Sequence, residues 1–351
     1  MDSSRSSRQD GDRRSTRTLS AWRDGWRRVS GAPALALGVF ALTFLLAVPL
    51  ALAMNALLRT HLGRSAVAAD VADGVSYDWW NEFLSQAGGL GTSFTPTIVG
   101  FAATLDNLSS VADGQAEQIL VTGVLALYLC AWTFLAGGIL DRYARQRRTR
   151  AQGFFAACGV YFFRFLRLGV LAAIVYGWLF TYVHAWLFDD LYGWLTRDLA
   201  VERVVFAWRA ALYAFFGALV IATNVVFDYA KVRAVVEDRR SMMGALDAAI
   251  RFIKRRPGQV LGLYALNTLV FLVIVGVWAL VAPGAGGSGL PVWVAFAAGQ
   301  LYLLARLLLK LQFMASQTSL FQANLAHAAY TAAPMPVWPE SPAAEAITSS
   351  G

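Results

Sequence analysis

Charge is scarce in this sequence. Asp, Glu, Lys and Arg supply 15% of its 351 residues, against 57% for the hydrophobic types, where a soluble domain carries about 25% charge. That shortfall excludes an ordinary soluble core and places the chain among polytopic membrane proteins. Cysteine is scarcer still. Cys130 lies in an apolar run and Cys158 in the segment after it, without paired spacing, which argues against a disulfide framework or a thiolate metal site. His61, His184 and His327 stand far apart with no metal-ligand spacing. Without a nucleophile elbow or a zinc-protease helix, no catalytic residue, metal or cofactor can be named. Gly284 to Gly289 matches the dinucleotide fingerprint, but no strand precedes it, so it reads as a flexible turn between spans.

What is abundant is long apolar runs, and six of them are long enough to cross a bilayer at 1.5 Å rise per residue. They cover about 34–58, 119–140, 169–188, 204–227, 260–282 and 292–309. A signal peptide cut after Ala51-Leu52-Ala53 is the rival reading of the first. The run continues past that triplet through Leu57 and Leu58, which favours a retained span. Arg142, Arg145, Arg147, Arg148 and Arg150 follow the second run and mark the cytoplasmic side. The expected fold is an all-α polytopic bundle of six transmembrane helices in the plasma or inner membrane, with both termini cytoplasmic. The Ser-, Arg- and Asp-rich residues 1–20 and the Pro- and Ala-rich residues 331–351 are expected to be disordered tails. Residues 59–117 are rich in acids and aromatics and should form an extracytoplasmic cap, with short helices at Tyr77 to Gln86 and Thr97 to Val111 around a turn at Gly88 to Gly91.

Basic amphipathic segments lie between the spans. The fullest is Asp228 to Pro257, DYAKVRAVVEDRRSMMGALDAAIRFIKRRP. Within it Met242, Met243, Leu246, Ala249, Ile250 and Ile253 recur at three-to-four spacing opposite Arg251, Lys254 and Arg255, as in a helix lying at an interface. Ala21 to Val29 and Gly153 to Arg167 repeat the pattern, and Gln312 to Tyr330 is a further amphipathic piece. Arg23, Arg27, Arg28, Arg164, Arg167, Arg251, Lys254 and Arg255 are thereby the expected contacts to anionic inner-leaflet head groups. The formal charge of +8 gathers in such segments, so it reports topology and membrane lipids as partners rather than nucleic acid.

An internal repeat accompanies this alternation. Pro33 to Leu42, PALALGVFAL, aligns with Pro257 to Leu266, PGQVLGLYAL, each just after a basic helix. A middle copy around Leu168-Gly169-Val170 has Arg164 where the proline would stand. Three units follow, each an interfacial helix and a two-span hairpin. The stretch DYAKVRAVVEDR with ALDAAIRFIKRRPGQVLGLYALN resembles the six-span integral membrane domains found alone or beside glycerophosphoryl diester phosphodiesterases in bacteria. The resemblance implies the architecture, a bacterial inner-membrane setting and a connection with lipid. The chain carries no phosphodiesterase domain, and residues 59–117 depart from the pattern.

Ionisable groups inside spans are the remaining leads, because burying them in lipid is expensive. Arg209 and His184 near the outer ends of their spans could form an outer anion pocket with Asp78, Glu82, Trp79 and Trp80 of the cap. Alternatively, Arg209 snorkels and His184 belongs to the aromatic belt. Asn224, Asp228 and Asn267 make an inner cluster, or else serve as hydrogen bonds between spans, with Asp228 pairing with Lys231. Arg306 and Lys310 read as snorkelling groups at the inner end of the sixth span. Two functions stay open: a membrane protein that binds or transports a lipid or other amphipathic molecule, and a non-catalytic scaffold docking a protein partner through the cap or the basic helix.

Overall fold

Apolar runs unbroken by turn residues become helices, and among the described residues no strand occurs. The structure is a computed structural model that describes residues 3–63, 65, 71, 76–87, 119–282 and 289–325. Its helices are α1 (Ser3–Ser30), α2 (Pro33–Leu62), α3 (Tyr77–Gln86), α4 (Ile119–Arg145), α5 (Ala151–Thr196), α6 (Glu202–Val236), α7 (Met242–Arg255), α8 (Pro257–Val281) and α9 (Leu290–Ala323). Five of them, α2, α5, α6, α8 and α9, are long and apolar enough to cross a membrane. Leu45, Ile174, Ile221, Leu272 and Leu301 on their surfaces stay exposed, as a wall facing hydrocarbon requires. The helix expected at Thr97 to Val111, the turn at Gly88 to Gly91 and the tail at 331–351 lie outside the described residues.

Several expected boundaries are absent. Gly153 to Arg167 and the span at 169–188 form one helix, α5, which widens into π-helical turns at Leu179–His184 and Trp186–Leu191. The fourth span runs straight on into the basic stretch, as its unbroken pattern implies, but stops at Val236 before α7, so that stretch is two helices rather than one. Residues 292–309 and the segment after them are likewise one helix, α9. A change from apolar to amphipathic pattern does not end a helix when no proline or capping group intervenes. Helix α1 begins at Ser3, inside the segment expected to be disordered. Thr18, Ala21 and Val29 are buried, and a helix once nucleated propagates cheaply into a segment such as Ser3 to Arg17.

The core gathers around the last third of α9, with the apolar faces of the basic stretch packed on it. Leu311, Gln312 and every residue from Ala315 to Gln322 are buried, so this segment is buried on all sides. Its polar side chains are each bonded. Gln312 donates to the Trp22 carbonyl, Ser319 to Asp24, and Gln322 to the Ala144 carbonyl while accepting from Arg28. Helix α1 lies along it so closely that a Cβ on Gly25 would sit 2.9 Å from the Ser316 Cα. Tyr229 to Val236 at the end of α6 and Ala245, Ala248 and Ala249 of α7 complete the apolar packing.

Arg28, expected at the head groups, is turned inward instead. It pairs with Asp24 at 2.7 Å and donates to the Tyr143 carbonyl at the end of α4. Burial lowers its pKa from the ordinary value, against the opposing pull of Asp24. Arg164 is also a brace, bonded to Asp238 at 2.6 Å in the α6–α7 turn. In the same turn burial would raise the Glu237 pKa, but hydrogen bonds from Arg233 and Arg239 outweigh it and hold the carboxyl below its usual value.

The two aligned prolines share a backbone feature. Ala32 before Pro33 has φ −136° and ψ 55°, and Arg256 before Pro257 has φ −139° and ψ 49°. Proline disfavours helical geometry in the residue before it, and both chains bend there from a basic helix into a span. The middle stretch, which has Arg164 in place of proline, runs on as unbroken helix.

Candidate functional site

Between α4, α5, α6, α8 and α9 lies a cavity of about 860 Å³, within the upper range of ligand pockets. Its walls are apolar and aromatic, with Tyr128 and Trp132 from α4, Phe165 and Tyr176 from α5, Phe227 from α6, Phe271 from α8 and Phe313 from α9. Four charged residues line it: Asp228 and Lys231 one turn apart on α6, and Arg306 and Lys310 one turn apart on α9. Three cations against one carboxylate leave an excess of positive charge.

Asp228 is the hub of the polar side. Its carboxylate accepts from Tyr264 Oη at 2.7 Å and pairs with Lys231 Nζ at 2.7 Å, with the Gln317 and Asn224 amides each at 3.4 Å. Gln317 also donates to Tyr264 Oη at 2.7 Å, so the acceptor is fixed from α6, α8 and α9 together. Lys310 is held differently. Its Nζ lies 3.4 Å from the centre of the Trp132 ring and 5.5 Å from that of Tyr128, and Arg306 sits over Tyr302 and Phe271 at 5.6 and 6.0 Å. Among the described residues neither has a carboxylate partner. Aromatic faces attract cations, but they leave the charge open to an anion.

A second, apolar cavity of about 560 Å³ shares Asn224, Thr268 and Phe313 with the first and continues between Ile221, Leu269 and Leu272. The exposed surfaces of those three side chains lie on the hydrocarbon-facing wall. A charged chamber thus adjoins an apolar groove.

The expected inner cluster is split. Asn224 and Asp228 belong to the cavity, whereas Asn267 is fully buried elsewhere, accepting from Trp22 Nε1 at 3.1 Å and donating to Ser316 Oγ at 3.2 Å. The expected outer pocket falls into two packed clusters. His184 stacks among Phe180, Phe188 and Phe216, and Arg209 lies over Tyr192 and Tyr213. Trp79 and Trp80 are buried against the end of α2, where Trp79 Nε1 donates to His61 Nδ1 at 3.1 Å, and Asp78 and Glu82 on the same short helix face outward. Of the expected lipid-surface cations, Arg23, Arg27, Arg167, Arg251, Lys254 and Arg255 are exposed.

Sequence reasoning placed Arg306 and Lys310 at a helix end, where snorkelling suffices. Helix α9 runs thirteen residues past Lys310 to Ala323, so both are interior to it. No family model, curated protein or solved structure matches the chain.

Proposed function

We propose that this chain is an integral membrane protein that binds an anionic amphipathic molecule, a lipid with an acidic head group, in the cavity between α4, α6 and α9. The carrying observation is that Arg306 and Lys310 face the cavity without a carboxylate partner among the described residues. Cations in a membrane-embedded segment are costly unless paired or solvated, and an acidic head group supplies the missing charge. The apolar groove past Phe313 suits an acyl chain. The test is native mass spectrometry of the detergent-solubilised protein with phosphatidylglycerol and phosphatidylcholine offered together. Wild type should retain phosphatidylglycerol selectively, and a Lys310→Gln, Arg306→Gln variant should lose that selectivity by about tenfold, the scale of one lost charge-assisted contact. Arg209→Ala should change nothing. Equal retention of both lipids by wild type would overturn the proposal.

The same reading takes α4 as a sixth span and puts both termini in the cytoplasm. Its 27 residues extend roughly 40 Å. The ends of α4 and α9 meet α1 through Arg28, α2 starts directly after α1, and chain ends on one side require an even number of crossings. Arg142 to Arg150 and the basic faces of α1 and α7 favour the cytoplasm for that side. In a background lacking Cys130 and Cys158, single cysteines at Ser4 and Ser349 should resist an impermeant maleimide applied to intact cells, while one at Ser85 should react. Labelling of either terminus would refute this topology.

A further inference from the structure

The far end of α9 closes a second polar cavity, of about 270 Å³, that shares no residue with the first. Arg233, Arg239, Arg251, Arg255 and Arg256 line it, with Phe252, Phe321 and Asn324 behind them and no acidic residue in the wall. The sequence spreads these arginines over the end of α6, the turn after it, α7 and the α7–α8 bend. Folding α7 back onto α6 and α9 brings them to one opening.

Some of them are fixed in place. Arg233 donates to the Ala248 carbonyl and to both oxygens of Glu237, and lies over the Phe321 ring at 5.2 Å. Arg239 shares Glu237, and Arg251 pairs with Asp247 at 2.6 Å. Arg255 and Arg256 have no carboxylate partner among the described residues. Five guanidiniums against two carboxylates leave three positive charges around a small volume. Such a concentration of positive charge favours a ligand carrying several negative charges. Guanidinium matches phosphate oxygens with two parallel hydrogen bonds, and the volume falls below the usual range for whole drug-sized ligands. We infer that this pocket binds the phosphate group of a polyanion, either a free oligophosphate or the head group of an acidic lipid, independently of the cavity described above. Because its wall draws on α6, α7 and α9 at once, an occupant would hold the ends of these helices together and raise the stability of that end of the bundle.

The test uses the full chain in detergent with sodium tripolyphosphate as the probe, by calorimetric titration at matched ionic strength. Wild type should bind it saturably at one site and melt at a higher temperature with it. Arg255→Gln and Arg256→Gln, made singly and together, remove side chains that carry no internal ion pair, and the double variant should bind at least about tenfold more weakly. Arg147→Gln with Arg148→Gln removes the same charge from the α4–α5 connection and should leave binding unchanged. Absence of saturable binding, or equal weakening in the two double variants, would overturn the inference. Nanodiscs distinguish the source. Tripolyphosphate binding retained in phosphatidylcholine but blocked by phosphatidic acid assigns the site to a lipid phosphate, and binding retained in both assigns it to a free anion.

Discussion

Replacing Gly138 with leucine is expected to separate α4 from α5 and to cost at least about 3 kcal/mol, the upper end for overpacked cores. A Cβ at this position would fall 2.5 Å from Cys158 Sγ, 2.8 Å from Phe154 Cε2 and 3.0 Å from the Phe154 carbonyl oxygen. At the neighbouring Gly137 it would meet Tyr161 Cβ at 2.6 Å. Tyr161 Cβ and the Phe154 carbonyl are a root and backbone of the facing helix and cannot swing aside as a side-chain tip can, so the helices themselves must move apart. Close approach through small residues is how membrane helices gain packing without a hydrophobic drive. Alanine should already destabilise at Gly138. The control lies on the same hairpin, because a Cβ on Gly169 would meet nothing within 4 Å. Gly169→Ala should therefore be neutral or gain a few tenths of a kcal/mol from helix propensity. Thermal unfolding in detergent followed by tryptophan fluorescence separates the two, and co-melting of Gly138→Leu with wild type would contradict this packing.

The apolar runs were legible because their length and lack of charge leave little alternative, and the prolines at 33 and 257 mark bends that the backbone adopts at both places. Residue pattern misled where it changed character inside a helix. Gln312, Ser316, Gln317, Thr318, Ser319 and Gln322 look like the wet face of an interfacial segment, yet each is buried and bonded within the core. Polarity in a sequence reports the need for hydrogen bonds, and water is only one supplier of them. Breaking α9 after Leu309 also hid the site, since it turned Arg306 and Lys310 into terminal residues. Asn267 was legible as a buried amide between spans, but grouping it with Asn224 required knowing which face of α8 meets α1. Of the arginine pocket, Arg251 and Arg255 were legible as cations for anionic head groups, but their meeting with Arg233, Arg239 and Arg256 was not. Its side chains come from turns and from three helices whose ends meet only when α7 folds back.

Asp228→Leu is expected to be the most damaging single change in the cavity, at about 1–3 kcal/mol, because it removes the acceptor shared by several donors at a half-buried site. Lys231 would lose its pair, Tyr264 and Gln317 their shared acceptor, and the cavity would hold Lys231, Arg306 and Lys310 with no carboxylate in its wall. Removing both members of the pair differs in kind, since an ion pair replaced by apolar groups of similar volume is often neutral. Asp228→Leu with Lys231→Met should therefore recover much of the lost stability. The proposed ligand adds a further condition. If an acidic head group binds among these cations, phosphatidylglycerol should raise the melting temperature of Asp228→Leu by more than it raises that of wild type, because the lipid then supplies the only anion in the chamber. Phosphatidylcholine should not do so. An Asp228→Leu variant that melts low and responds equally to both lipids would leave Asp228 as a purely structural acceptor and remove the cavity's claim to an anionic ligand.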